Sequence, residues 1–459
     1  MHDLIVIGAG PAGMAAAREA AETGLSVLLL DEQRRAGGQI YRDVDRVAPL
    51  RGDLLGRDYT EGLALTRRLD HAAITHVAGA VVWQIETPLR VAYSIDDKAH
   101  VAKGRRLLIA TGALERPMPL PGWTLPGVMS AGAAQILLKQ SGIVAQRAVL
   151  AGSGPLLYLV AAQMLRAGTP PLALVETQSR ADLARAMRHL PAALRGWRYL
   201  AKGMAMLAAL KRAGVARHVG ATGLAIEGQD RARALRFTAG GKSHRIEADT
   251  VLLHHGVVPN TQTARSMGLV HRWNAAQSCF APTLDDWGRS SDPEVFIAGD
   301  GAGIGGARVA ALAGQMAALQ IAHDLGALSP ARRDQAAAPL RRAMARERAA
   351  RPFIDAAYPP HAPALLPEDD TIVCRCEEVT AGDIRRYAKM GCDGPNQTKA
   401  FGRPGMGPCQ GRYCGLTVTQ LLSEAHGRRP DETGYYRIRP PLKPVTLGEI
   451  AALELPKED

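Results

Sequence analysis

Aromatic side chains are scarce in this sequence: Phe, Trp and Tyr make up 4% of 459 residues, with 5 Phe and 5 Trp. A core built on stacked rings is therefore excluded. The apolar interior has to come mostly from Ala, Val and Leu, within a hydrophobic fraction of 47%. No run of about 18 uninterrupted apolar residues occurs, so no segment reads as a membrane-spanning helix. Met1–Asp3 leads directly into an apolar strand pattern with no charged leader and cleavage site, which argues against secretion and for a cytoplasmic protein. Acidic charge is also in deficit, with 44 Asp and Glu against 56 Lys and Arg and a net charge of +12. That balance suits an acidic partner or cofactor, and it admits peripheral contact with the inner face of a membrane or a quinone acceptor. Nucleic acid is not expected, because no basic run is interleaved with aromatics. Cysteine is nearly absent outside one place: five of the 6 lie between Cys374 and Cys414. In a cytoplasmic chain such clustering points to a metal site and away from disulfides. The length corresponds to about two to four domains of about 100–200 residues.

Glycine is abundant, at 48 residues, and its placement is informative. The apolar run Leu4–Ile7 enters Gly8-Ala9-Gly10-Pro11-Ala12-Gly13, an Ala-rich helical stretch follows over Met14–Thr23, and Ser26–Leu30 reads as a second strand ending at Asp31. This is a complete βαβ dinucleotide fingerprint in context. Gly8 permits the tight turn, Gly10 the approach of backbone to a pyrophosphate, and Gly13 the packing of helix on strand. The helix N-terminus offers free N–H groups to the phosphates. Asp31 is placed to accept from a ribose hydroxyl.

A second unit begins near residue 147. Ala148–Leu150 is a strand, Gly152-Ser153-Gly154-Pro155 the turn, Leu156–Ala167 the helix, and Leu172–Val175 the next strand, ending at Glu176. Leu157 stands where the third glycine belongs. It should push the helix off the strand or fill the pocket, so this site is expected to be altered. It could still hold a second nucleotide, NAD(P) or ATP.

Two more apolar strands end in turns: Leu107–Ala110 before Thr111-Gly112, and Val295–Ala298 before Gly299-Asp300-Gly301 and an Ala-rich helix over about 308–325. An acid at such a strand end is well placed to hold the ribityl or pyrophosphate part of a flavin nucleotide. Together with Gly37-Gly38-Gln39 and Gly256-Val257-Val258-Pro259-Asn260, these segments make residues 1–325 resemble the flavoproteins with two dinucleotide-binding domains, the class of thioredoxin reductase. The resemblance implies FAD held by Gly8, Gly10, Pro11, Ala12, Gly13, Asp31, Gly38, Gln39, Thr111, Gly112, Gly299 and Asp300, with Gly152, Gly154 and Glu176 lining the second site. Cys279 is the sole Cys in this region, so there is no Cys-x-x-Cys pair and no disulfide reductase activity. No general base is evident. His254 and His255 sit at a strand end, where a structural role is at least as good a reading, and the catalytic residues stay unassigned.

The remaining cysteines form Cys374-Arg375-Cys376, then Cys409 and Cys414, with no His over residues 362–425. Four thiolates suit tetrahedral zinc or an iron–sulfur cluster. A single intervening residue is tight for one zinc, but Cys374 and Cys376 can both serve one iron of a 2Fe–2S cluster and Cys409 with Cys414 the other. Arg375, Lys399, Arg403 and Arg412 could offset the cluster charge, and Gly402, Gly405, Gly407 and Gly411 would allow loop N–H groups to point at sulfur. Cys392 is read as structural. The segment resembles bacterioferritin-associated-ferredoxin-like 2Fe–2S domains. The run Gly405-Met406-Gly407-Pro408-Cys409-Gln410-Gly411-Arg412-Tyr413-Cys414 is similar to a narrower group, the FAD-containing A subunits of opine oxidases and D-hydroxyproline dehydrogenases and the related B subunit of hydrogen cyanide synthase.

The expected fold is α/β, with two Rossmann-like dinucleotide-binding domains and a small helical C-terminal domain carrying four Cys. The FAD domain is split, 1–120 and 248–328, around an NAD(P)-like domain at 121–247. A helical linker spans 329–367, the 2Fe–2S domain 368–430 and a tail 431–459. The Arg-rich helical stretches Arg180–Arg217 and Arg332–Arg351 are either docking surfaces or solvated faces, and Tyr358–Pro367 reads as a linker. A flavin beside a cluster is the logic of a relay from a two-electron donor to a one-electron acceptor. The resemblance adds partners: a second flavoprotein chain that oxidises an opine, D-amino acid, hydroxyproline or glycine, and a small ferredoxin-like chain. The alternatives are a self-sufficient NAD(P)H-dependent reductase and a non-catalytic nucleotide-binding or redox-sensing scaffold.

Overall fold

Short apolar runs bounded by glycine turns become parallel strands, because only a sheet covered on both faces can bury every side chain of such a run. In the computed structural model, which describes residues 1–453, His2–Ile7 lies between Val27–Asp31 and the second half of the 12-residue strand Lys98–Ile109, all parallel. Ile74–Ala78 extends one side, and Val295–Ile297 joins Lys98–Ile109 on the other. The first half of Lys98–Ile109 turns away into an antiparallel meander with Arg90–Ile95 and Val81–Glu86. A second parallel sheet runs in the order Ala216–Val219, Ala173–Glu176, Ala148–Gly152, Thr250–His254, Val128–Ser130. One of its faces packs on the antiparallel strands Thr222–Glu227, Ala234–Ala239 and Lys242–Glu247, the other on the helices Pro155–Arg166 and Trp197–Arg212.

The Ala-rich composition has a direct structural use. Helix Pro11–Glu22 packs along helix Ala307–Asp324 through Ala12, Ala16, Ala20, Ala310, Ala317 and Ile321. The approach is so close that a Cβ on Gly314 would stand 2.1 Å from the Ala12 carbonyl oxygen. Residues nearly 300 positions apart in sequence are thereby locked together at one end of the first sheet.

The Arg-rich stretches resolve differently from a single helix face. Arg180–Arg217 is broken into Arg180–Met187, Leu190–Ala193 and Trp197–Arg212, because Pro191 and Gly196 interrupt it, and it leaves Met187, Leu194, Trp197 and Met204 exposed. Helix Pro330–Arg348 packs on the preceding helix, with Arg333 and Arg341 stacked on Trp287 at 4.5 and 4.4 Å. The stretch read as a linker contains a short helix, Ala362–Leu365, and buries His361.

Beyond it, helices Ala381–Lys389, Pro395–Gly402 and Gly415–His426 enclose a cluster of their own, including Val373, Ile384, Val418, Leu421, Tyr436 and Leu442. Trp123 ties the second sheet to it by donating to the Ile372 carbonyl at 2.7 Å, and Leu442 ties it to the first by donating to Trp83 at 2.7 Å. The tail read as 431–459 passes, in its last six residues, outside the described part. No helix among the described residues is long and apolar enough to cross a membrane.

Gly314→Ala should lower the unfolding free energy by about 2 kcal/mol, the cost of forcing backbone apart in a filled core. Gly203→Ala, in an exposed helix with nothing within 4 Å of the added carbon, should raise it by about 0.5–1 kcal/mol. Denaturant midpoints of the two variants check both signs.

Candidate functional site

The first glycine turn separates into residues that the fold needs and one that it does not. Gly8 has φ +105°, and a Cβ there would lie 2.5 Å from the Ala110 oxygen; one on Gly13 would lie 1.8 Å from the Gly8 oxygen. Gly10 has an ordinary φ of −78°, and its nearest would-be neighbour is the Gly38 Cα at 3.8 Å. The protein itself has room for a side chain at Gly10. Its absence leaves an open cradle at the N-terminus of helix Pro11–Glu22, which suits a pyrophosphate.

The remaining residues expected here converge on that cradle. Gly38 lies against Gly10, Gly299 against Ala12, and Gly301 against the Gly112 oxygen. Asn260 donates its backbone N–H to Gly112 at 2.9 Å. Asp300 accepts from the N–H groups of Gly305 and Gly306 at 2.8 and 2.9 Å through one oxygen, which seats the carboxylate at the start of helix Ala307–Asp324. Gln39 is exposed, and its backbone oxygen, with that of Ile40, accepts from the buried Lys139 at 3.0 Å. Burial with no carboxylate partner draws the Lys139 ammonium down to about 7.

Asp31 is already engaged at its strand end: its two oxygens accept from the backbone N–H groups of Ala9 and Gln33, which pins the glycine turn to the strand. Burial is the main influence on it and raises its pKa. The next residue, Glu32, carries the outward carboxylate and pairs with Lys443 at 2.8 Å. The adjacent acids Asp31-Glu32 were the available signal, and nothing in their spacing chose between them.

The second unit is closed by its own side chains. Glu176 is fully buried and bonded to Tyr158, Gln178 and Arg217, so the acid expected at a ribose has no spare oxygen. Leu157 fills the space between helix and sheet among Leu150, Leu174 and Met164. The turn itself persists: Gly152 and Gly154 both have positive φ, and a Cβ on Gly154 would meet the His254 ring at 3.1 Å. His254 is held by Glu115 at 2.6 Å through Nδ1. His255 has both ring nitrogens engaged, at Pro117 oxygen and His361 N–H, and burial holds it neutral. His255 thus has no free ring nitrogen, and His254 lies at the Gly154 turn of the second unit.

The thiols meet in two pairs, each joining one segment to the other: Cys374 lies by Cys414, and Cys376 by Cys409. Cys374 and Cys414 are buried, Cys376 is exposed and Cys409 intermediate. The crossing follows from Cys374 ending a strand that points into the core while Cys376 has already turned out of it. Cys374 also receives the backbone N–H groups of Gly405, Glu377 and Cys376; the Cys414 thiol first, and these N–H groups next, draw it down to about 6. Among the described residues no group of three or more His, Cys, Asp or Glu side chains is placed to hold a metal ion.

Of the four loop glycines, Gly405 turns its N–H towards the Cys374 sulfur. Gly402 makes room for Tyr387, Gly407 for Cys376 and Gly411 for Tyr436. Of the four cations, Arg403 is paired with Glu377 at 3.0 Å and Arg375 is stacked on Trp123. Lys399 and Arg412 remain near thiols, at Cys414 and Cys409 respectively. Cys392 faces the Gly394 carbonyl inside the core, and burial pushes the Cys279 thiol up to about 11, so neither behaves as a nucleophile.

The loop with the thiols docks on the first unit, where Gln262 donates to the Gln410 oxygen at 3.2 Å. Arg412 extends that dock by donating to the Leu442 oxygen at 2.7 Å, next to the Lys443–Glu32 pair.

Residues 2–324 match the model of the pyridine nucleotide-disulphide oxidoreductase family, and residues 368–454 match the sarcosine oxidase A3 domain. The opine oxidase A subunit of Rhizobium meliloti (strain 1021) is 44% identical over 99% of this chain and 100% of that protein. The HcnB subunit of hydrogen cyanide synthase from Pseudomonas protegens is 34% identical, covering 96% of each chain. Among solved structures, L-proline dehydrogenase from P. horikoshii superposes with a TM-score of 0.72 over 98% of this chain and 79% of that one, at 18% identity, a likeness of fold. With its glycine cradle, its absent Cys-x-x-Cys pair and its end-to-end match to these relatives, the chain belongs to the pyridine nucleotide-disulphide oxidoreductase family of FAD-dependent oxidoreductases and, within it, to the family of opine oxidase A subunits.

Proposed function

We propose that this chain is the electron-transfer component of a multi-subunit dehydrogenase that oxidises a C–N bond in an opine, D-amino acid, hydroxyproline or glycine-type substrate. The observation that carries the reading is the pairing, on one chain, of an open dinucleotide cradle with a four-thiol loop docked against the same unit. Relatives named as subunits of opine oxidase, hydrogen cyanide synthase and sarcosine oxidase support assembly with partner subunits; the partners in this reading are a second, substrate-oxidising flavoprotein chain and a small ferredoxin-like chain.

Bound FAD supplies acceptance of two electrons as hydride, and a 2Fe–2S cluster supplies transfer of one electron at a time. The chain's residues do the holding. Gly10 and the N–H groups at the start of helix Pro11–Glu22 take the pyrophosphate, Asp300 the ribityl side, and Glu32 in place of Asp31 the ribose. Cys374, Cys376, Cys409 and Cys414 ligate the cluster, whose net charge of about −2 by formal counting Lys399 and Arg412 offset. The corresponding division is an FAD domain at 1–120 and 248–328, an NAD(P)-like domain at 121–247, and a cluster domain at 368–430. The reductase alternative is not favoured, since Leu157 and the occupied Glu176 close the second site to a nicotinamide dinucleotide. The scaffold alternative is not favoured either, because the relatives are subunits of oxidases and of a synthase.

Gly10→Val should fold, since the added carbons meet cofactor space and not protein, and should purify with flavin reduced at least about tenfold, equivalent to ~1.4 kcal/mol of lost binding. Flavin absorbance per chain reads this, and full retention would show the cradle misread. Cys409→Ser with Cys414→Ser should abolish bound iron and its visible absorbance while FAD stays; unchanged iron removes these ligands from the assignment. Under anaerobic conditions NADH should leave the flavin of the isolated chain oxidised. An opine or D-amino acid should bleach it only in the complex co-purified with its partners. Rapid bleaching by NADH would reinstate the reductase.

A further inference from the structure

Positive charge and exposed apolar surface coincide in one stretch of the second unit. Residues 180–212 hold eight Arg or Lys and a single acid, Asp182. That acid is engaged locally: it accepts from Ser179 at the start of its own helix and pairs with Arg185. Lys202 pairs with Asp58. Arg180, Arg188, Arg195, Arg198, Lys211 and Arg212 are exposed and have no carboxylate partner among the described residues.

Apolar side chains are interleaved with these charges. Leu183, Met187, Leu194, Trp197 and Met204 are all exposed, Trp197 by 58% and Met204 by 66%. Single exposed apolar residues are ordinary, whereas a cluster of them marks a contact surface. Helix Trp197–Arg212 shows why these are not core. Its Met206, Leu207 and Leu210 pack on the second sheet. Trp197, Ala201, Met204 and Ala208 recur at i, i+4, i+7 and i+11, which puts them on the opposite side of the helix. Helix Pro330–Arg348, equally rich in Arg, leaves no large apolar side chain exposed.

Composition and shape decide what covers the stretch. Arg outnumbers Lys by six to two over residues 180–212, and the apolar members include Trp and Met. Arg, Trp and Met are enriched at protein interfaces, where Lys is depleted. An anionic membrane favours a continuous helix with one apolar face. Here Pro191 and Gly196 break the segment, and its longest helix already lays one apolar side on its own sheet. A second copy of this chain would set unpaired cations against cations.

We propose that the exposed face of residues 180–212 is the docking surface for a partner subunit of the same enzyme, one that presents an acidic rim around an apolar pocket for Trp197 and Met204. The inference rests on the multi-subunit reading above. Trp197 and Met204 are the anchors, and the unpaired arginines steer the encounter and set its register.

The test uses the full chain co-expressed with its partner subunits. Wild type should co-purify with them, and added salt should weaken the complex as exposed charges are screened. No co-purifying subunit at low salt would overturn the multi-subunit reading and this inference together. Trp197→Asp with Met204→Gln should keep FAD content and melting temperature, because both positions are exposed. It should weaken the complex at least about tenfold, the scale of a lost anchor. Arg195→Glu with Arg198→Glu should slow association several-fold and flatten its salt dependence. Val270→Asp, at an exposed apolar residue outside this stretch, should leave assembly intact. Unchanged affinity in both double variants sinks the surface assignment while the multi-subunit reading stands, and so does an equal loss in Val270→Asp. Two arms with the isolated chain test the other occupants. Sedimentation with anionic phospholipid vesicles that disappears in Trp197→Asp with Met204→Gln would give the surface to a membrane. A dimer in solution that the same variant dissociates would give it to a second copy. Either result overturns the proposal.

Discussion

Everything at the first site depends on how closely helix Ala307–Asp324 can approach helix Pro11–Glu22. Gly314 lies over the Ala12 carbonyl and Gly299 against the Ala12 side chain, so the glycine turn and the Asp300 strand end share one cradle. Small residues permit that distance, and an aromatic core would forbid it. The scarcity of Phe and Trp is thus a requirement of the architecture as well as a trait of composition. Dispersion and burial over many Ala contacts replace the few large contacts of a ring-rich core.

The two dinucleotide units show what a motif keeps when its chemistry changes. Both retain positive-φ glycines at the strand-to-helix turn, because backbone of the crossing strand leaves no room for a side chain there. They differ in what fills the rest. In the first, the carboxylate is turned inwards onto Ala9 and Gln33, and the cradle at Gly10 stays open. In the second, Glu176 is buried under Arg217, Tyr158 and Gln178, and Leu157 replaces the packing glycine.

The C-terminal unit returns to the beginning of the chain through a few directed bonds. Arg412 donates to Cys409 at 3.1 Å and to Leu442 at 2.7 Å, Leu442 donates to Trp83, and Lys443 pairs with Glu32. The thiol loop and the strap that seats it are therefore one mechanical unit with the outward acid of the first site. These directed contacts, with the ring contact of Phe280 and Tyr435, hold the thiol loop in a fixed place against the first unit.

Local pattern determined a great deal by itself. The strand at Leu4–Ile7, the helix after Gly13, the strand ending at Glu176 and the Ala-rich helix near 308–325 are visible because buried parallel strands and glycine turns have a short-range signature. So are the four thiols as a group, since clustering is a property of the chain. The chain could not show which acid faces outward, because Asp31 and Glu32 differ only in the side chosen by the last pleat of the strand. Nor could it show that Arg217, 41 residues away, would occupy Glu176, or that Cys374 would lie by Cys414 and Cys376 by Cys409. Those outcomes were decided by the tertiary structure, because they depend on which buried charges and sulfurs meet once remote segments pack, and spacing along the backbone carries no record of that.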